Sequence, residues 1–303
     1  MTTKTKVASS ATRRGGGKKA GIVALVGRPN SGKSTLLNAI LKQKVSITSP
    51  KPQTTRFPIQ AVYEDDRGQI IFVDTPGVFS KIKDQIAARI NLRTETALDG
   101  SLDMIVYLVD HTRERAEEEN KALGMVRKVN KPKILVINKV DIKSPTHIVQ
   151  YKFMEDEFDA TVEVSALMQK HIPVLLSAIF DHLPEREPIT MREDLVQPGL
   201  NLDSKIFVGE IIREKAFLTL RKEVPYSLTT VVDQLDEREN GVLYIKARIL
   251  TSQDRYKGMI IGAKGSVIKE IGATTRKELE VASDKKVYID LTVEVDPHWM
   301  DFV

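Results

Sequence analysis

The chain contains the nine-residue stretch Gly27-Arg28-Pro29-Asn30-Ser31-Gly32-Lys33-Ser34-Thr35. It follows an apolar run at 21–26 and precedes a helical pattern at 36–41. A strand, a glycine-bearing loop and a helix in this order are typical of a phosphate-binding loop, because backbone N–H groups and the positive end of the helix dipole point at one place. Lys33 can reach the β- and γ-phosphates of a nucleotide, and the Ser34 hydroxyl can bind Mg²⁺. A glycine turn that binds nothing is the alternative, which four residue types at fixed spacing disfavour.

Length and composition place the chain among globular proteins of about two domains. Of its 303 residues, 41% are hydrophobic and 29% are charged, and no apolar run approaches the ~18–20 residues of a membrane-spanning helix. The sequence contains no cysteine, which excludes disulfides, zinc fingers and thiolate catalysis. The formal net charge of +5 points weakly to a polyanionic partner.

Composition and patterning divide the chain into four parts. Residues 1–20 are predicted to be a flexible basic tail that touches RNA or anionic lipid, although an organelle transit peptide is an alternative. Residues 21–183 alternate strand and helix patterns, which predicts an α/β fold with a mostly parallel sheet and helices on both faces. Residues 184–201, with their prolines, are predicted to be a linker, and residues 202–303 to be a second, α+β module.

The patterns also predict individual elements. In the first module they include a helix over 83–99, another at 114–129 and a third over roughly 146–158. In the second module they predict a helix at 204–220, a hairpin that turns at Asn240-Gly241, a helix at 266–281 and a strand at 286–295.

A second motif, Asp74-Thr75-Pro76-Gly77-Val78, ends a predicted strand about forty residues after the phosphate loop. An acid at this point can hold Mg²⁺ through water, and the Gly77 N–H can meet the γ-phosphate. Between the two motifs lies the loop Pro52-Gln53-Thr54-Thr55-Arg56. A threonine in such a loop can bring its hydroxyl to Mg²⁺ when the γ-phosphate is present, which makes an order–disorder switch. We expect Thr55 rather than Thr54 to be this ligand.

A third motif, Asn138-Lys139-Val140-Asp141, predicts the choice of base. The Asp141 carboxylate can accept hydrogen bonds from N1 and N2 of guanine, a donor pair that adenine lacks. Asn138 would brace the base edge and the phosphate loop, and the stem of Lys139 would lie along the base. The pair Ser165-Ala166 follows another strand, and the Ala166 N–H is expected to point at guanine O6.

These elements, in this order, resemble the translation-factor-related class of P-loop GTPases. With the Pro52–Arg56 loop and the C-terminal module, residues 20–300 resemble the Era family, whose members join a GTPase domain to a KH domain. The resemblance implies GTP and GDP as ligands, Mg²⁺ as cofactor, and action in assembly of the small (30S-type) ribosomal subunit. It also implies a monomeric, cytoplasmic protein, with peripheral contact to the inner face of the plasma membrane left open.

Two residues shape the expected hydrolysis, in which Lys33, Thr55, Gly77 and Asn30 are predicted to act. Val78 stands where Ras-like proteins place a glutamine that orients water, and valine cannot hydrogen-bond water, so the intrinsic rate is expected to be slow. Asn30 resembles an asparagine that holds K⁺ in related enzymes, where the added charge would stabilise the transition state. The alternative is that Asn30 only caps the loop.

The second module carries the segment Ile260-Ile261-Gly262-Ala263-Lys264-Gly265. A G-x-x-G loop between two helices resembles a KH domain of the prokaryotic type, whose loop clamps the backbone of about four unpaired nucleotides. Lys257 and Lys269 are predicted to add positive charge, and the isoleucines to wall the groove. A solvated charged face is the alternative. The residues alone predict single-stranded RNA; the resemblance implies the 3′ end of small-subunit ribosomal RNA, bound more tightly in the GTP state.

Two other functions fit parts of this pattern. A nucleotide kinase also uses a phosphate loop, but the element from Asn138 to Asp141 argues against it. An RNA-binding scaffold with a vestigial nucleotide site is disfavoured by the intact Lys33, Ser34 and Asp74.

Overall fold

The computed structural model describes residues 17–46, 59–78, 91, 92, 94–98, 101–190 and 204–302. The predicted basic tail up to residue 16, the Pro52–Arg56 loop with Thr55, most of the helix predicted over 83–99, and the linker beyond residue 190 lie outside these ranges. Residues 91, 92 and 94–98 are helical. Within the described ranges, no helix has the length and apolar character needed to cross a bilayer.

The first module is built on a six-stranded sheet in the order β2-β3-β1-β4-β5-β6. Strand β2 runs antiparallel to β3, and the other neighbours are parallel. This arrangement brings the carboxyl ends of β1, β3, β4 and β5 to one edge, where ligands of open α/β sheets bind. The strands span β1 Lys19–Val26, β2 Ile59–Asp65, β3 Gly68–Asp74, β4 Met104–Asp110, β5 Lys133–Asn138 and β6 Ala160–Glu163.

Helices cover both faces of this sheet. Strand β4 is buried along its whole length: Val106 and Leu108 join one core cluster, and Tyr107 and Val109 join another on the opposite face. Alternate side chains of a strand point to opposite faces, so burial of both sets requires helices on each side. The labelled helices of this module are α1 Lys33–Leu41, α2 Glu117–Lys128, α3 Ile148–Lys152 and α4 Ile172–His182.

The helix predicted over 146–158 is interrupted. Helix α3 ends at Lys152, and a short 3₁₀ turn follows at Glu155–Glu157. Two of the apolar residues in the pattern, Val149 and Phe153, are 76% and 91% exposed. Because these two side chains are exposed, they do not stabilise a longer helix by packing, and short helices depend on tertiary packing for stability.

The second module is a three-stranded sheet in the order β7-β8-β9 with three helices. Strands β7 and β8 form the predicted hairpin, whose Gly241 has φ 75° and donates its N–H to the Arg238 carbonyl at 2.8 Å; β9 pairs with β8 in parallel. The predicted architecture, an α/β domain with a mostly parallel sheet followed by an α+β module, is confirmed. The elements are α5 Ser204–Thr219, β7 Leu228–Glu237, β8 Leu243–Thr251, α6 Asp254–Ile261, α7 Ser266–Ser283 and β9 Val287–Val295.

An ion-pair cluster joins the two modules. Lys44, just after α1, lies 2.5 Å from a carboxylate oxygen of Glu214 on α5 and 2.5 Å from one of Glu278 on α7. Lys215 pairs with the same two carboxylates. Two cations therefore face two anions at the junction, and α7 is held to the segment that leaves α1.

Candidate functional site

The phosphate loop forms a cradle between β1 and α1. Gly32 precedes α1 with φ 102°, a conformation that L side chains rarely adopt, and a Cβ there would lie 2.2 Å from the Asn138 amide nitrogen. Asn30 is half-buried at φ 62°, and Ser31 is fully buried. The first turn of α1, with Ser34 and Thr35, thus opens towards the cradle, and its N–H groups suit an anion.

Lys33 occupies the centre of this cradle. Its ammonium donates to the carbonyls of Gly27 at 3.0 Å and Arg28 at 3.1 Å. Burial lowers the pKa of Lys33 from 10.5 to about 8, and the carboxylates of Asp74 and Glu119 only partly oppose this. Because these two carboxylates compensate the buried cation only in part, an anionic phosphate would be a strong partner.

Ser34 and Asp74 meet at the edge of the cradle. The Ser34 hydroxyl donates to Asp74 Oδ2 at 2.7 Å, and the hydroxyl of Ser46 donates to the same oxygen at 2.7 Å. Within the part of the chain that the structure describes, Asp74 Oδ1 is buried without a hydrogen-bond partner. Burial raises the pKa of this carboxyl, although Lys33 opposes the shift. A hydroxyl and an under-bonded carboxylate are hard oxygen ligands, which fit a Mg²⁺ ion with its water.

The segment from Asp74 to Val78 lies against the phosphate loop. The Thr75 hydroxyl donates to the Leu25 carbonyl at 2.7 Å, and the Val78 N–H donates to the Gly27 carbonyl at 3.4 Å. A Cβ at Gly77 would come within 2.7 Å of the Pro29 Cα, so this approach requires glycine. Pro76 accepts a hydrogen bond from Thr94, and the Val78 side chain is buried in the core.

The predicted base-binding residues form a connected group. Asn138 is buried; its amide donates to the Ser31 carbonyl at 2.9 Å, and its Oδ1 accepts from the Ala166 N–H at 3.0 Å. The Ala166 N–H, expected to point at guanine O6, therefore donates within the protein here. The Ser165 hydroxyl donates to Asp141 Oδ1 at 2.5 Å, and the Val140 N–H donates to Val164. Among the described residues, the second carboxylate oxygen of Asp141 accepts no hydrogen bond.

Sequence reasoning missed three supports of this site: Asp110, His111 and Glu119. Asp110, at the end of β4, accepts a hydrogen bond from the Lys139 ammonium at 2.6 Å, and its pKa is lowered: burial alone would raise it, but Lys139 and Thr112 outweigh burial. His111 places its ring nitrogens 3.0 Å from the Lys139 carbonyl and 3.0 Å from the Thr146 hydroxyl. The sequence did offer one signal for Asp110. It is an acid at the end of an apolar strand, and the next strand along the chain ends in the base motif.

The third missed residue, Glu119, lies behind the loop and pairs with Arg28, a predicted residue of the phosphate loop. Arg28 Nε lies 3.2 Å from Glu119 on α2, and the Arg28 guanidinium also donates to the Asp110 carbonyl at 3.1 Å. Glu119 in turn accepts a hydrogen bond from the hydroxyl of Tyr107. Burial raises the pKa of Glu119, although hydrogen bonding from Tyr107 and the charge of Arg28 act against it. The pair holds the phosphate loop to α2.

The glycine loop of the second module lies between α6 and α7. Gly262 has φ 73°, and a Cβ there would lie 2.5 Å from a methyl group of Val267, so only glycine fits. Ala263 and Lys264 are exposed, and Gly265 directly precedes α7. Ile261 is partly exposed, but Ile260 is fully buried. Ile260 therefore supports the loop from the core and does not wall the groove, which differs from the prediction.

A groove of about 300 Å³ runs between α7 and the edge strand β9. Of the two predicted lysines, Lys269 lines this groove. Lys257 is half-buried on α6 and is not among the lining residues. Arg276 was missed, although it continues the same helical stripe and the small Gly272 and Ala273 between them keep the groove open. The lining residues are Ile268, Lys269, Gly272, Ala273, Arg276, Tyr288, Ile289 and Leu291.

The sheet, the phosphate cradle and the loop from Asn138 to Asp141 define a P-loop protein of the GTPase class that carries a KH module. A family model described as 50S ribosome-binding GTPase matches residues 22–139, and one described as KH domain matches residues 223–300.

Relatives of known family extend the likeness over nearly the whole chain. GTPase Era of Halothermothrix orenii is 36% identical over 287 residues, which cover 93% of this chain and 95% of the relative. GTPase Era of Trichlorobacter lovleyi is 38% identical over 288 residues, with 93% and 94% covered. The chain belongs to the Era family of GTPases.

Two solved structures are similar along the same length. One is an Era variant of Aquifex aeolicus bound to GDP·AlF4⁻, and the other is Era in complex with MgGDPNP and nucleotides 1506–1542 of 16S ribosomal RNA. Each has a TM-score of 0.85 and 36% identity, and covers 93% of this chain and 95% of the solved one.

Proposed function

We propose that this chain binds and hydrolyses GTP and, in its GTP state, binds the 3′ end of small-subunit ribosomal RNA during assembly of that subunit. The observation that carries the proposal is the buried Lys33 in a cradle linked through Asn138 to the base-binding loop. The solved Era complex with MgGDPNP and a 16S rRNA fragment supports both ligands.

The nucleotide would be held at both ends. Lys33 would exchange the Gly27 and Arg28 carbonyls for β- and γ-phosphate oxygens, and the glycine-rich loop would supply N–H donors. Asp141 would accept from guanine, while Asn138 fixes the distance between base and phosphates. The proposed contacts with the nucleotide are Gly27–Thr35, Asp74–Val78, Asn138–Asp141, Ser165 and Ala166.

Ser34, Thr55 and Asp74 would hold Mg²⁺, with Asp74 acting through water. When bound, the ion supplies positive charge between the β- and γ-phosphates. Gly77 would offer its N–H to the γ-phosphate. Because the Val78 side chain is buried and apolar, the chain has no hydrogen-bonding group at that position to orient water, and slow intrinsic hydrolysis is expected. We also propose that Asn30 holds K⁺, which would add charge near the leaving group.

In the second module, Gly262, Ala263, Lys264 and Gly265 would clamp the RNA backbone, with Lys269 on the groove wall. We propose domain limits of 21–183 and 202–303 with a linker between them, with one correction: β1 begins at Lys19, so the last two residues assigned to the tail belong to the first domain. We further propose that the protein acts as a monomer in the cytoplasm and touches the inner face of the plasma membrane only peripherally, through its basic tail or the face of the KH module.

The test measures two affinities on the full chain. GTP should bind at least a hundredfold more tightly than ATP with Mg²⁺ present, and Lys33→Ala should abolish binding while the exposed-lysine control Lys128→Ala leaves it intact. A 37-nucleotide RNA equivalent to positions 1506–1542 should bind more tightly with a non-hydrolysable GTP analogue than with GDP. Equal affinity for GTP and ATP would exclude the proposed site, and RNA affinity that ignores the nucleotide would remove the coupling. Hydrolysis that is no faster in KCl than in NaCl would rule out K⁺ at Asn30.

A further inference from the structure

A cation–aromatic stack crosses the sheet of the second module. The guanidinium carbon of Arg238, next to the hairpin turn, lies 4.0 Å from the ring centroid of Tyr244 on β8. The rings of Tyr244 and Tyr288 on β9 are stacked, with centroids 5.7 Å apart and an interplanar angle of 9°. The two tyrosines are register partners in the parallel pair β8–β9. The stack therefore runs across the strands, from the hairpin to β9.

The stack ends at an open edge. Strand β9 is the last strand of the sheet, and Tyr288 is 58% exposed, whereas its neighbour Val287 is buried. Alternation along a strand places Tyr288 on the face opposite to that of Val287. Among the described residues, no further ring or cation contacts the Tyr288 ring beyond Tyr244. One face of a large aromatic ring, fixed in orientation by its neighbour, is thus left towards the sheet edge.

The same edge borders the groove. Tyr288 lines it on the β9 side, and Arg276 lines it on the α7 side. Arg276 is eleven residues beyond Gly265, so it lies about 16 Å along α7 from the glycine loop. A KH loop clamps about four nucleotides. A strand that enters at the glycine loop and follows the groove would pass the exposed Arg276 and reach the Tyr288 end.

We propose that Tyr288 is a stacking platform for one unpaired base of the RNA strand, at the end of the groove distant from the glycine loop. This inference rests on the proposed RNA-binding function and adds a contact to it. An RNA base is favoured as the occupant because Lys269 and Arg276 line the groove that leads to the ring, and a polyanion matches them. Every base has a π face, so the platform would tolerate any base identity.

The experiment is abasic scanning on the full chain. The probe is the 37-nucleotide RNA described above, with a non-hydrolysable GTP analogue, and one nucleotide at a time is replaced by an abasic residue. Wild type, Tyr288→Leu and Tyr288→Phe are compared, with Leu218→Ala as a control for an exposed side chain away from the groove. Thermal unfolding of each variant checks that the fold is kept.

We expect Tyr288→Leu to weaken binding of the intact RNA about fivefold or more, within the range of one base–aromatic stack. At one position, an abasic residue should weaken RNA binding by wild type by about the same factor and should not weaken binding by Tyr288→Leu further. Tyr288→Phe and Leu218→Ala should behave as wild type. Unchanged affinity of Tyr288→Leu would overturn the platform. The platform would also be overturned if Tyr288→Leu weakened binding of every abasic RNA by the same factor as the intact RNA, because a purely structural role acts uniformly along the strand. Failure of wild type to bind the RNA at all would instead refute the proposed function on which the platform depends.

Discussion

The pH dependence of nucleotide affinity follows from the buried lysine of the phosphate loop. Without nucleotide, burial lowers the pKa of Lys33 to about 8 from 10.5. Between these two values the unfolded chain binds more protons than the folded one, so this group makes the folded state more stable as the pH rises through that window. At neutral pH the charged Lys33 costs the nucleotide-free protein about 3 kcal/mol. A phosphate that bonds the ammonium would remove much of that cost.

The measurable consequence is proton uptake on binding. If GTP binds only the charged lysine, its affinity is constant well below pH 8 and falls above it, by about fourfold between pH 7 and pH 8.5. A phosphate monoester loses its second proton near pH 6, so the charge of the terminal phosphate changes little across this range. At pH 8 each bound nucleotide should take up about half a proton, measured by calorimetry in two buffers of different ionisation enthalpy.

The control for this experiment is Lys128→Ala, which removes an exposed lysine of α2 and should leave both the slope and the proton uptake unchanged. An affinity that stays constant from pH 7 to pH 8.5, with no proton uptake at pH 8, would refute the role given to Lys33.

Three substitutions test other parts of the site. Asp141→Asn should raise the Kd for GTP by about a hundredfold or more, because a buried polar site rejects a ligand that it cannot pair with; the exposed-acid control Asp156→Asn should not, and an unchanged Kd would contradict the base assignment. Gly262→Ala forces a Cβ to within 2.5 Å of Val267 at a strained φ, so RNA affinity should fall about tenfold or more with GTP affinity kept. Gly258→Ala, where a Cβ meets nothing within 4 Å, is its control, and equal RNA affinity of the two variants would count against the loop. Lys44→Gln should destabilise the protein by about 1–2 kcal/mol. This is less than the cost of breaking a fully buried ion pair, because Lys44 is 31% exposed. Burial alone would raise the pKa of Glu278, but Lys215 and Lys44 lower it. The loss of stability caused by Lys44→Gln should therefore shrink as the pH falls through that lowered pKa. A loss that is independent of pH, or equal to that of the control Lys42→Gln, would contradict a stabilising ion pair.

The sequence predicts what depends on neighbouring residues. The helical pattern at 36–41, after a glycine loop, predicts a helix, and α1 spans Lys33–Leu41. Strand β5 ends at Asn138, directly after its apolar run. Periodicity and turn residues act over a few positions, so local elements of this kind are accessible without coordinates.

Contacts between distant residues were not accessible in this way. Arg28 and Glu119 are 91 positions apart, and neither has a local signal that names the other. Asn138 was expected to brace the loop, but its second bond, from Ala166, depends on how β5 and β6 align. The wall position of Arg276 similarly depends on where α7 lies against β9. Tertiary packing decides these contacts, and a single sequence carries no direct record of them.

The segment between α1 and residue 46 connects the nucleotide site to the RNA groove. Ser46 donates to Asp74, and Asn38 of α1 accepts the N–H groups of Val45 and Ser46 at 2.9 Å each. Lys44, in the same short segment, pairs with Glu278 on α7, and α7 forms one wall of the groove. A ligand that changes the position of Ser46 must therefore either move Lys44 relative to α7 or strain the segment. Contiguity alone does not establish coupling, which is a difference in binding free energy between two states. The decisive quantity is the ratio of RNA affinities with the GTP analogue and with GDP: a ratio that Lys44→Gln reduces towards one would identify this segment as the link, and an unchanged ratio would assign the coupling to a different part of the molecule.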